Sequence, residues 1–129
     1  MPASADPFSY AIVRVVPDVE RGESLNAGVI VHCQARRFLG ARVGLDEARL
    51  RAIAPDSSAS QIKAWLDAVV VTAEGRELDG LLAALSQSER FGLLTAPSST
   101  VIQASPVHTG LTESPEQELQ HLFERLVAR

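Results

Sequence analysis

The sequence predicts an α+β domain: a mainly antiparallel four-stranded sheet in the order βββ-ααα-β-α, with helices packed on one face. Three observations carry this prediction. Three closely spaced runs of β-branched and apolar residues fill positions 8 to 43, the period then turns helical from Leu45, and the chain closes on a fully signalled helix start at Ser114.

The first run, Phe8 to Val16, is apolar on both alternating faces: Tyr10, Ile12, Arg14 and Val16 on one, Ala11, Val13 and Val15 on the other. A strand of that kind is interior, covered above and below, and a partner chain is one source of the second cover. Pro17 and Asp18 stop it. Ala27 to Gln34 resumes the alternation, and Gly28 near its start marks a bulge or a close backbone approach. A short connection at Ala35 and Arg36 leads into Arg37 to Val43, where Arg36, Arg37 and Arg42 read as edge or solvent residues. Three strands joined this closely are antiparallel.

Leu45 to Ala54 is a short helix with Asp46 as its cap and Pro55 beyond its end. From Ser58 or Ser60, the spacing of Ile62, Trp65, Leu66, Val69 and Val70 predicts a one-faced helix running to Gly75. Leu78, Leu81, Leu82 and Leu85 repeat that spacing in a helix that fades by Ser88. Phe91 to Leu94 is apolar, TAPSST (95–100) is turn-rich, Val101 to Ser105 is a fourth strand, and PVHTG (106–110) is an ordered loop. In the last helix Ser114, Pro115 and Gln117 fit an N-cap, a first-turn proline and half of a capping box. Leu119, Leu122, Phe123, Leu126 and Val127 form its stripe, with Arg125 and Arg129 at the end that favours cations.

Composition narrows the function classes. The 129 residues suit one domain, with 1–7 as a flexible tail and 8–129 as the single folded unit, and 46% hydrophobic residues suffice for a core. A lone cysteine allows no intrachain disulfide and fits a reducing compartment. The first residues carry no basic start or apolar segment, and no apolar run reaches a membrane span, so a cytoplasmic protein is expected. A net charge of −4 argues against sequence-independent nucleic-acid binding. If it occurred, the Arg36, Arg37 and Arg42 edge would carry it.

The densest set of chemically capable residues lies in the loop between the first two strands. Arg21, Glu23 and Asn26 supply a fork donor, a carboxylate and an amide, a set that can hold an anion or recognise a polar partner segment, and can equally knit the loop to itself. Arg14, in an apolar strand, needs a partner, and Glu23 or another nearby carboxylate is the natural one. His108 and Thr109 follow a proline and precede a glycine; the histidine suits a general base, a recognition donor or a pin for its own loop. Ser98 to Thr100 lack nucleophile-elbow glycines and are explained by a turn. Cys33 alternates with Val29 and Val31 as a small core residue. His32, His108, His121 and Cys33 have no ligand spacing, so neither metal nor cofactor is expected.

Two stretches, YAIVRVVPDVERGESLNAGVIV (10–31) and ERFGLLTAPSSTVIQASPVHTGL (89–111), followed by Pro115 and the leucine stripe, resemble the domain-of-unknown-function 3037 family of small bacterial proteins. The likeness spans almost the whole chain. It implies small cytoplasmic single-domain proteins of unassigned function, often encoded beside a HipA-like kinase, with a basic residue common where this chain has Ser98. The expected function is therefore an accessory domain that binds a protein partner, a HipA-like kinase by that resemblance, through the 17–28 and 97–110 loops. Its binding residues would be Arg14, Arg21, Glu23, Asn26, Ser98, His108 and Thr109. The alternative is a small hydrolase or phosphoryl-handling enzyme using Arg21, Glu23 and His108 as its catalytic set. The doubly apolar first strand permits a homodimer.

Overall fold

In a computed structural model, residues 4–76, 78 and 80–128 are described. The chain runs β1 (Asp6–Val15), β2 (Leu25–Cys33), a 3-10 turn (Gln34–Arg36), β3 (Phe38–Val43), α1 (Glu47–Ile53), α2 (Ala59–Glu74), α3 (Gly80–Ala83), α4 (Gln87–Thr95), β4 (Ile102–Ala104), β5 (His108–Thr112) and α5 (Pro115–Leu126). The fold is α+β with an antiparallel sheet, as the patterning predicts.

The sheet order is β3-β2-β1, and the far edge of β1 is shared by two short strands. β4 pairs with Val13–Val15 and β5 with Asp6–Tyr10. PVHTG, expected as a loop, is thus the start of a fifth strand. Pro106 separates β4 from β5, since a proline has no N–H to give a ladder.

Gly28 marks a bulge. Val13 opposes Gly28 while Arg14 opposes Asn26, so Ala27 is the extra residue on β2. The consequence is a change of face: Leu25 and Ala27 join Ile30 in one core, whereas Val29, Val31 and Cys33 face the other way. A Cβ at Gly28 would lie 2.8 Å from Val43 Cγ1 and 2.9 Å from the Arg42 carbonyl oxygen, so only glycine fits between β1 and β3.

Helices cover both faces of the sheet, which corrects the expectation of one covered face. Leu50 of α1, Ile62, Leu66 and Ala73 of α2 and Phe91 of α4 pack with Val13, Val15, Ile30 and Leu39. On the opposite side Leu119, Leu122, Leu126 and Val127 from α5 and its end pack on Phe8, Val29, Val31 and Cys33. The second apolar face is therefore covered from within the chain, over β2 and β3.

Local signals explain most helix ends. Asp46 accepts from Arg49 N, Ser58 from Gln61 N and Ser114 from Gln117 N, and Gly75 closes α2 at φ 73° in the left-handed region. The predicted helix over 78–88 is absent as such; Glu77 and Asp79 lie outside the described residues, α3 is one turn, and Leu81 is exposed. A separate helix, α4, follows, started by a capping box in which Ser86 and Glu89 satisfy each other's backbone N–H groups. The Arg90 guanidinium joins this helix to α2 by donating to the Thr72 and Ala73 carbonyls.

The N-terminal segment is less of a tail than predicted. Positions 1–3 and Arg129 lie outside the described residues, but β1 already begins at Asp6. Arg36 clasps it, with Nε 2.7 Å from the Asp6 carboxylate and its other nitrogens donating to the Ser4 and Glu113 carbonyls.

Candidate functional site

The loop from Pro17 to Ser24 is built on Asp18, whose carboxylate accepts from Glu20 N and Arg21 N while its carbonyl accepts from Gly22 N. Gly22 sits at φ 74°, the left-handed conformation that closes such a turn. The turn points Arg21 and Glu23 at each other, Nε to Oε1 2.6 Å, with both side chains in solvent. Its hydrogen bond to Glu23 raises the Arg21 pKa further above its ordinary value.

This pairing overturns the Arg14–Glu23 ion pair expected from the sequence. Arg14 is half-buried in β1, directly opposite Asn26 on β2 and Gln103 on β4. No ion pair among the described residues includes it. Asn26 ties the sheet to the end of α5, its Nδ2 donating to the Leu126 carbonyl at 3.1 Å.

The second set of predicted residues divides between the two ends of the sheet. Val16 N donates to the Val101 carbonyl at 2.7 Å, which brings the 97–101 segment against the 17–24 loop. There Ser98 and Thr100 hydroxyls lie 2.8 Å apart, Ser98 Oγ accepts from Thr100 N, and Gln103 Nε2 donates to the Thr100 carbonyl, so Ser98 knits its own turn. His108 instead stands opposite Tyr10, its ring 5.2 Å from the tyrosine ring, and Thr109 stands opposite Ser9. From Tyr10 to Val15, where the loop end of β1 begins, the strand rises about 16 Å.

That separation corrects the enzyme alternative. A general base has to come within hydrogen-bond range of its partner, and β4 and β5 both run antiparallel to β1, which leaves His108 far from Glu23. Arg21, Glu23 and His108 do not form one catalytic set. Residues 97–101 meet the first loop, whereas 106–110 lie toward the other end of β1.

What the two loops do build is a groove of about 560 Å³ beside α2. Val19 from the first loop, Trp65, Ala68 and Val69 from the helix, and Ser99 and Val101 from the second segment line it. Val19 and Trp65 remain 46% and 42% exposed, unusual for a valine and a tryptophan beside a formed core. Trp65 was expected within the core stripe of this helix. Its neighbour Leu66 is the buried one, and the signal for the difference is local: Ala64, Trp65 and Ala68 form a face about 100° or more around the helix from Leu66, too far to share its contacts.

Several other titratable groups have structural contacts. Arg36 is engaged by Asp6, and the Arg42 guanidinium lies 5.0 Å from the Phe123 ring centre, so the basic strand edge is not a free stripe. Cys33 is buried with its thiol 3.5 Å from the Pro7 carbonyl. The His32 ring packs on Phe91 at 5.1 Å, its Nε2 is buried with no hydrogen-bond partner among the described residues, and burial lowers its pKa. Among the described residues no three His, Cys, Asp or Glu side chains gather where a metal would fit, and no helix is long and apolar enough to cross a membrane.

Comparison with known proteins adds one result. No curated protein and no solved structure matches the chain. Residues 10–127 match the family model described as a protein of unknown function, DUF3037, and with nearly its whole length covered the chain belongs to that family.

Proposed function

We propose that this protein is a non-catalytic accessory domain that docks a protein partner in the groove between the 17–24 loop, α2 and the 97–101 segment, a HipA-like kinase being the first candidate. The observation that carries this reading is the groove itself: an apolar surface with an exposed tryptophan at its wall, formed where the two loops meet. Tryptophan is among the residues that most often anchor interfaces, because one rigid ring contributes a large contact area at little entropic cost. Arg21 and Glu23, exposed on the same loop as Val19, contribute selectivity more than affinity. The kinase candidate rests on the gene neighbourhood implied by the sequence resemblance.

Trp65 is the single tryptophan of the chain, so its fluorescence reports the groove directly. Titration with a purified HipA-like kinase encoded beside the gene is expected to shift the emission to the blue. Val19→Asp, at an exposed position, should leave the circular dichroism unchanged and weaken binding by about thirtyfold, the effect of losing one anchor. Equal binding by the variant, or no binding by the wild type at tens of micromolar, refutes the proposal.

A further inference from the structure

We propose that Arg14 is the centre of an oxyanion-binding site on the sheet face that α5 leaves uncovered, binding a carboxylate or phosphate group from outside the chain. This face is opposite the one that α2 covers, so the proposal does not depend on the groove. α5 packs over β2 and β3. Alongside it, Tyr10, Ile12 and Arg14 of β1 and Gln103 of β4 remain half-buried on an open surface, with His108 exposed next to Tyr10.

The bulge at Ala27 and Gly28 creates the arrangement. Without it Arg14 would stand opposite Ala27; with it, Asn26, Arg14 and Gln103 form a row across three strands. Side chains directly opposite one another share a face and lie about 5 Å apart at Cβ. The Asn26 amide nitrogen donates to the Leu126 carbonyl and the Gln103 amide nitrogen to the Thr100 carbonyl. Each carboxamide is thereby held beside Arg14, makes no hydrogen bond to it among the described residues and carries no charge to neutralise it.

No ion pair among the described residues does so either. The sequence has no Asp or Glu between Asp6 and Asp18 or between Glu89 and Glu113, the stretches that contain β1, β4 and most of β5. In a chain with a net charge of −4 this is a local exception. A guanidinium half-removed from water and left without a counter-charge is unfavourable, and its planar fork matches two oxygens of a carboxylate or phosphate. Arg14 is the ligand contact, flanked by the Asn26 and Gln103 amides.

The test uses the full chain at neutral pH, with thermal unfolding followed in sodium chloride, sodium phosphate and sodium succinate at equal ionic strength. A saturable rise of roughly 5 °C or more in phosphate or succinate over chloride is expected, and which of the two gives it identifies the ligand class. Arg14→Gln should abolish the rise, and Arg76→Gln, in an exposed pair with Glu74 at the end of α2 on the opposite side of the sheet, should keep it. Since Arg14→Gln could itself perturb the sheet, the Nε–H resonance of Arg14 in the wild-type chain gives a second readout and should shift with the same anion. No rise over chloride, a rise that survives Arg14→Gln, or an Arg14 resonance unmoved by either anion overturns the proposal.

Discussion

Replacing Gly28 by alanine tests the joint on which both the sheet and the Arg14 row depend. The new methyl carbon would meet Val43 Cγ1 at 2.8 Å, the Arg42 carbonyl oxygen at 2.9 Å and Val13 Cβ at 3.3 Å. The carbonyl oxygen belongs to the backbone and Val13 Cβ cannot swing away, so β1 and β3 must separate by several tenths of an ångström. Overpacking of this kind costs about 1–3 kcal/mol, and backbone involvement places it near the top of that range. Removing glycine from the unfolded ensemble returns about 0.4–1 kcal/mol, leaving a net loss of about 2 kcal/mol. For a chain of this length that lowers the melting temperature by roughly 8 °C. Gly92, in α4 with nothing within 4 Å of where a methyl group would stand, is the internal control. Gly92→Ala should stabilise by about 0.5–1 kcal/mol through helix propensity. Urea denaturation followed by circular dichroism measures both. A Gly28→Ala variant within about 0.5 kcal/mol of wild type would refute the steric reading.

Two further expectations follow from particular contacts. Ser86→Ala removes the side-chain half of the α4 capping box and should destabilise by about 0.5–2 kcal/mol, whereas a loss below that range in urea titration would mean that packing of Phe91 alone holds α4. Burial lowers the His32 pKa from its ordinary 6.5, so in acid the unfolded chain binds a proton that the folded chain resists. The unfolded state then holds more protons, so stability should fall as pH drops below about 6.5. His32→Leu should flatten that part of the curve; an unchanged slope between neutral pH and pH 5 contradicts it. The carboxylates act lower on the scale. The Glu89 pKa is lowered by its hydrogen bonds to Ser86, first from the backbone, and that of Glu47 by Lys63, so their contributions persist until pH falls below the ordinary carboxylate value of 4.5.

The three N-terminal strands, their antiparallel order, the caps at Asp46, Ser58 and Ser114 and the αL stop at Gly75 were all legible in the sequence, because each depends on alternation, helical spacing or residues within one turn. Helix α4 was also within reach: Ser86 and Glu89 spell a capping box, but the leucines from 78 to 85 suggested a longer helix that the chain does not form. Other features depend on contacts between distant segments. His108 to Thr112 has the composition of a turn and becomes a strand because β1 offers an unpaired edge. The stripe of α5 fits either face of the sheet, and it takes the one where Phe8, Val29, Val31 and Cys33 await cover. Arg14 and Glu23 match as partners by type and nearness along the chain, yet the Asp18 turn directs Glu23 to Arg21 and the bulge sets Arg14 beside two amides. Periodicity in this sequence determined the first three strands and the apolar stripes of α2 and α5 apart from Trp65; only tertiary pairing made β5 a strand and decided which face each element covers and which polar groups meet, since register and packing are set between segments and not within them.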